Sequence, residues 1–116
     1  MDIVRLMDFT LKQEFIREAT KLPMAIVTSA SGRTYRIPST NELLGSFLNQ
    51  PPFSIVGGKT GFLPEAGYCF GAILAEGGVH EIMVVVLGSD SLERRFQDAK
   101  ALGVWAFQTY DWPDEI

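Results

Sequence analysis

The 116 residues, 47% of them hydrophobic and 21% charged, have the length and composition of one soluble globular domain. The formal net charge is −4 and the ten Lys and Arg residues are scattered, which argues against a nucleic-acid-binding face. The chain has no apolar run long enough to span a bilayer and no recognisable export signal, and its single cysteine excludes an internal disulfide.

The first half of the chain predicts a helix followed by a hairpin. Apolar residues spaced three and four apart predict an amphipathic helix over residues 2–20, with Asp2 as its cap. Two β-rich runs on either side of Ser31-Gly32 predict a hairpin that ends at Pro38. Residues 39–52 are predicted to be irregular.

The second half predicts three strands and a closing helix. The strands are expected at residues 53–62, 66–76 and 80–88, with a hairpin turn at Gly77-Gly78 between the last two. Asp90 is expected to cap the helix, which runs to about Tyr110 and carries an apolar stripe made of Leu92, Phe96, Ala99, Leu102, Ala106 and Tyr110. The chain is therefore predicted to be a single α+β unit over residues 1–116. In this unit the hairpin and the three strands form an antiparallel sheet, on which an N-terminal and a C-terminal helix pack.

The triplet Gly58-Lys59-Thr60 looks like the end of a phosphate-binding P-loop, but its surroundings exclude that interpretation. A P-loop needs a glycine five positions before Gly58, where this chain has Phe53. The loop must also open a helix, whereas the residues that follow here predict a turn and a strand.

Three segments carry a resemblance instead. The segments "STNELLG", "GGKTGFLPEAGYCFGAI" and "VVVLGSDSLERRFQDAKALGVWAF" have the order and spacing of one family. The chain resembles the C-terminal half of the serine D-alanyl-D-alanine carboxypeptidases, the low-molecular-mass penicillin-binding proteins of bacteria. This resemblance implies a partial β-lactamase/transpeptidase-like fold, and a hydrolase that removes the terminal D-alanine from peptidoglycan stem peptides outside the cytoplasm. It implies neither a metal nor a cofactor.

The same resemblance assigns the site residues. Lys59 and Thr60 would bind the terminal carboxylate of the stem peptide or of a β-lactam, through a charge and a hydroxyl hydrogen bond. Gly61 would let the strand lie close to an extended peptide. The backbone N–H of Phe62 would be an oxyanion-hole donor. Arg95, at the start of the last helix, would also face the carboxylate.

The family's nucleophile is absent from these residues. No serine in the chain is followed three positions later by lysine, so no Ser-x-x-Lys is present. Ser39-Thr40-Asn41 matches a structural segment of the family rather than a catalytic one. The chain alone is therefore predicted to be inactive, and the alternative is a stand-alone module that binds peptides or proteins without catalysis. An unpaired edge at residues 53–62 would favour a homodimer.

Overall fold

A computed structural model describes residues 2–113, and within them it confirms the α+β class. The elements in chain order are α1 (Asp2–Thr10), α2 (Glu14–Lys21), β1 (Met24–Thr28), β2 (Thr34–Pro38), two 3₁₀ turns (Glu42–Gly45 and Phe47–Asn49), β3 (Phe53–Leu63), β4 (Gly67–Glu76), β5 (His80–Ser89) and α3 (Leu92–Thr109). None of the helices between residues 2 and 113 is long and apolar enough to cross a bilayer.

An antiparallel sheet in the order β3-β4-β5 forms the centre of the molecule. Its strands lie within two residues of the predicted ones. The predicted turn at Gly77-Gly78 joins β4 to β5, and both glycines have positive φ angles of 66° and 69°. Glycine adopts this backbone region without steric penalty, so the turn follows directly from the sequence.

Other elements of the chain cover the sheet on both faces. Side chains of β4 alternate between the two faces and pack against both sets of elements. Phe70 and Leu74 point towards α3 and the 3₁₀ turns, where the larger core lies. Ile73 points the other way and packs with Met7 and Leu11 of the N-terminal region. The N-terminal and C-terminal helices therefore lie on opposite faces of the sheet.

The predicted N-terminal helix is divided into α1 and α2 at Leu11. The Thr10 hydroxyl, at the end of α1, donates back to the carbonyl of Leu6 at 3.0 Å. Arg17 Nε of α2 donates to the carbonyl of Leu11. The break allows α1 to contact β5 and α2 to contact β3, and Leu11 is buried between them with 3% of its surface exposed.

The hairpin of β1 and β2 forms a two-stranded sheet of its own instead of joining β3. The cause lies at the outer edge of β3, where the Gly58 N–H donates to Thr20 Oγ1 of α2 at 3.3 Å. Because α2 occupies that hydrogen-bonding position, the hairpin cannot extend the ladder there. The edge predicted to be bare is thus partly covered.

The last helix begins one residue later than predicted. Ser91, not Asp90, is its N-cap, and its Oγ accepts from the Arg94 N–H at 3.0 Å. The buried face of α3 also differs from the predicted stripe, since Leu102 is 44% exposed. The residues that face the sheet are Arg95, Phe96, Ala99, Gly103 and Phe107.

Candidate functional site

The triplet Lys59-Thr60-Gly61 lies on β3, an edge strand of the central sheet. Lys59 is exposed and Thr60 is half-buried. The Lys59 ammonium donates to the backbone carbonyl of Thr60. The triplet thus presents one ammonium and one hydroxyl beside the strand edge.

The backbone amides of Thr60 and Phe62 are expected to point towards the free edge of β3. The Gly58 amide faces away from β4, since it donates to Thr20 Oγ1. In an antiparallel ladder, alternate residues direct their backbone groups to the same side. The pairing of β3 with β4 has no irregularity from Gly58 to Leu63. An extended ligand lying along β3 would therefore reach the Phe62 N–H.

Gly61 leaves this part of β3 without a side chain. A Cβ atom placed on Gly61 would have no neighbour within 4 Å, so packing within the described residues does not require glycine here. The missing side chain leaves room for a ligand backbone to approach the strand.

Arg95 lies beside the same stretch of β3 as a buried cation with 5% of its surface exposed. Its Nη1 donates to the Gly61 carbonyl at 3.4 Å. Its guanidinium carbon lies 4.8 Å from the centre of the Phe96 ring and 5.5 Å from that of Tyr68. These cation–π contacts stabilise the charge in part.

Within residues 2–113, Arg95 forms no ion pair with a carboxylate, and its Nε has no hydrogen-bond partner. A buried cation without a counter-charge is costly, which makes its surroundings favourable for an anion. The neighbouring Arg94 is exposed. The structure thus places Arg95, and not Arg94, beside the triplet.

Two clefts meet at the triplet, and Lys59 and Thr60 line both. The larger, of about 400 Å³, lies between β3 and the end of the hairpin. Its other walls are formed by Ala19, Thr20, Leu22, Ala25, Ile37, Pro38, Ser39, Thr40, Asn41 and Gly58. The smaller, of about 220 Å³, lies between β3 and α1. A ligand at Lys59 and Thr60 therefore has space on either side of the strand.

The structure adds two residues that the sequence did not assign to the site. Thr40 Oγ1 lies 2.6 Å from Thr60 Oγ1. Asn41 is 7% exposed, and its Oδ1 accepts from the Leu43 N–H at 3.0 Å. Its Nδ2 has no hydrogen-bond partner among the described residues. The segment interpreted as purely structural therefore forms one wall of the larger cleft.

No protein-family model and no curated protein sequence matches the chain, whereas solved structures do. The DD-transpeptidase K15 of Streptomyces superposes on 86% of this chain with a TM-score of 0.73 and 27% sequence identity. A point mutant of that enzyme superposes on 84% with a TM-score of 0.71. Rv2911, a penicillin-binding protein homologue from Mycobacterium tuberculosis, superposes on 94% with a TM-score of 0.77 and 23% identity.

The chain has a partial penicillin-binding-protein fold. The resemblance seen in the sequence is thus confirmed at the level of the fold family. The chain spans only 38–40% of the length of the structures that it matches.

Proposed function

We propose that this chain supplies the substrate-binding strand of a serine-type D-alanyl-D-alanine carboxypeptidase that acts on peptidoglycan stem peptides. The observation that carries the proposal is the position of Arg95. It is a buried cation, without a carboxylate partner in residues 2–113, and it lies beside the Lys59-Thr60-Gly61 edge. An edge strand that offers hydroxyl, amide and cationic donors suits an extended ligand that ends in a carboxylate.

Each residue has a role in this proposal. Lys59 and Arg95 supply positive charge to the terminal carboxylate, and the Thr60 hydroxyl donates a hydrogen bond to it. The Phe62 N–H donates to the oxyanion that develops at the scissile carbonyl. A β-lactam carries a comparable carboxylate and would bind at the same residues. The working location of such an enzyme is the cell envelope, outside the cytoplasm.

Catalysis requires a group that these residues do not contain. The 116 residues include no Ser-x-x-Lys, so an activated serine would have to come from sequence outside them. The acyl-enzyme step then needs both parts in one folded unit. In this chain the proposal is confined to recognition of the ligand.

The recognition step is tested with two ligands that differ only at the terminus. The probes are N-acetyl-D-Ala-D-Ala and its carboxamide, titrated into the isotope-labelled chain and followed by NMR. We expect the acid to shift the amide resonances from Lys59 to Phe62, and the carboxamide to shift them far less, because it has no charge. Equal shifts with both ligands, or none with either, would contradict the proposal.

The Lys59→Ala variant provides a second test of the same step. It should weaken binding of the acid by about 1.5–3 kcal/mol, the usual contribution of a hydrogen bond to a charged group. Lys12→Ala removes an exposed lysine of the helical N-terminal region and serves as the matched control. Unchanged affinity in Lys59→Ala would remove Lys59 from the site.

The alternative function is a non-catalytic peptide-binding module with the same cleft. It is favoured by the presence of the binding donors in residues that lack the nucleophile. Both functions predict binding of the acid, and they differ in whether a Ser-x-x-Lys partner exists. Sequencing the DNA on either side of the coding segment separates them, since an in-frame Ser-x-x-Lys supports the enzyme.

A further inference from the structure

Thr40 makes a contact that the proposed roles do not use. Its Oγ1 lies 2.6 Å from Thr60 Oγ1, the distance of a good O–H···O hydrogen bond. Thr40 belongs to the loop after β2, twenty positions before Thr60 in the chain. The contact therefore joins the hairpin end to the edge strand across the larger cleft.

The residues on either side of Thr40 hold it in place. The Ser39 N–H donates to the Pro23 carbonyl at 2.9 Å, and Ser39 Oγ accepts from the Asn41 N–H at 3.1 Å. Asn41 Oδ1 accepts from the Leu43 N–H at 3.0 Å. The Thr40 backbone is thus fixed by hydrogen bonds on both sides, which limits the positions that its side chain can take.

The direction of the hydrogen bond between the two threonines decides what Thr60 can do. A hydroxyl has one proton to donate and two lone pairs that accept. If Thr60 donates to Thr40, it has no proton left for a ligand carboxylate, which only accepts. If Thr40 donates to Thr60, the Thr60 proton remains available. Such a chain of hydroxyl groups also polarises the outer proton and strengthens its bond.

We propose that Thr40 is a positioning residue that donates to Thr60 and so holds the Thr60 hydroxyl as a donor towards the carboxylate of the ligand. This inference rests on the proposed function. Thr40 does not touch the carboxylate in this arrangement and acts through Thr60. Without it, Thr60 loses the hydrogen bond that selects between the few χ1 rotamers open to a threonine, so its hydroxyl points towards the ligand for less of the time and their hydrogen bond is weakened.

The first test needs no ligand. Three-bond couplings measured by NMR report the χ1 rotamer of Thr60 in the wild type, in Thr40→Val and in Thr40→Ser. We expect a single rotamer in the wild type and in Thr40→Ser, which keeps the hydroxyl, and averaged couplings in Thr40→Val. A Thr60 rotamer that stays fixed in Thr40→Val would overturn the proposal.

The second test measures affinity for N-acetyl-D-Ala-D-Ala. Thr40→Val should weaken binding about three- to tenfold, the net value of one hydrogen bond, while Thr40→Ser stays within about twofold of the wild type. Thr34→Val is the matched control, because Thr34 pairs with Thr28 in the hairpin and lies outside the cleft. A loss in Thr34→Val equal to that in Thr40→Val would indicate damage to the hairpin and overturn the specific role.

A double-mutant cycle with Thr60→Val shows whether Thr40 acts through Thr60. We expect Thr40→Val to have no further effect on affinity once the Thr60 hydroxyl is gone. An equal loss in both backgrounds would make Thr40 an independent contact and overturn the positioning role. A wild-type chain that does not bind the dipeptide would contradict the proposed function, and the rotamer measurement would still decide the coupling of the two threonines.

Discussion

At the scale of single residues, the sequence proposes site residues only where a short segment carries the family resemblance. Lys59, Thr60 and Gly61 stand together in such a segment, and the resemblance assigns them to a carboxylate without a structure. Thr40 gives no such signal, because its partner Thr60 lies on β3 across the larger cleft and the distance of 2.6 Å arises only on folding. Asn41 is the N-cap of the first 3₁₀ turn, and its position in the wall of the larger cleft is not visible in the sequence.

Arg95 provides a prediction that separates binding from stability. Arg95→Met removes the charge and keeps most of the packing. We expect affinity for N-acetyl-D-Ala-D-Ala to fall by about 1.5–3 kcal/mol. The free energy of unfolding in urea should change by no more than about 1 kcal/mol, because a buried charge without a carboxylate partner stabilises little.

Arg94→Met is the control for Arg95→Met, because Arg94 occupies the preceding position of α3 and is exposed. It should leave both affinity and stability unchanged. A loss of about 3–5 kcal/mol of stability in Arg95→Met would show that the guanidinium is a structural partner of β3. That result would contradict its assignment to the ligand.

The serine residues give a further prediction at this scale. Because no serine stands in a Ser-x-x-Lys pair, none has the neighbouring base that activates a nucleophile. Incubation of the chain with a labelled penicillin should therefore leave the intact mass unchanged. A covalent adduct in stoichiometric amount, mapped to any serine, would disprove this prediction.

At the scale of elements, the sequence predicts each element where one local signal dominates. The Gly77-Gly78 turn and the β-rich runs on either side of it predict β4 and β5 to within one residue. The break at Leu11 and the buried face of α3 depend on contacts with the sheet, which no local pattern contains. On α3 the predicted apolar stripe includes Leu102, whereas the buried residue at that turn of the helix is Gly103.

For Gly103→Ala, the direction of the change in stability shows whether helix propensity or core packing dominates. A Cβ on Gly103 would lie 2.6 Å from Leu74 Cδ1, and Leu74 is buried in the core. Helix propensity alone would make Gly103→Ala stabilising by about 1 kcal/mol. We expect instead a net loss of about 1–2 kcal/mol from overpacking, measured by urea unfolding. A gain in stability would mean that α3 moves away from the sheet without cost.

At the scale of the whole molecule, the two edges of the sheet differ in how they are covered. The outer edge of β3 is partly covered by Thr20 of α2. The outer edge of β5 has no strand partner among residues 2–113. Beside it runs a groove of about 380 Å³ between β5 and α3, where Leu102, Trp105 and Tyr110 are 44%, 52% and 58% exposed. Because the edge of β3 is covered at Gly58 and the edge of β5 is not, we expect self-association at β5 rather than at residues 53–62.

The isolated chain is expected to form a dimer by antiparallel pairing of β5 with β5, since open apolar edges favour such contacts. If the two strands cross at Val85, Glu81 faces Ser89 of the second copy and Met83 faces Leu87, so no like charges meet.

Leu87 is 63% exposed, and Leu87→Lys should shift the protein to monomer, because a lysine opposes edge pairing. Light scattering over a range of concentrations measures both states. Leu22→Lys changes a residue that is 52% exposed and distant in the chain, and it should remain a dimer. A wild-type chain that is monomeric at every concentration would show that this edge is closed in solution.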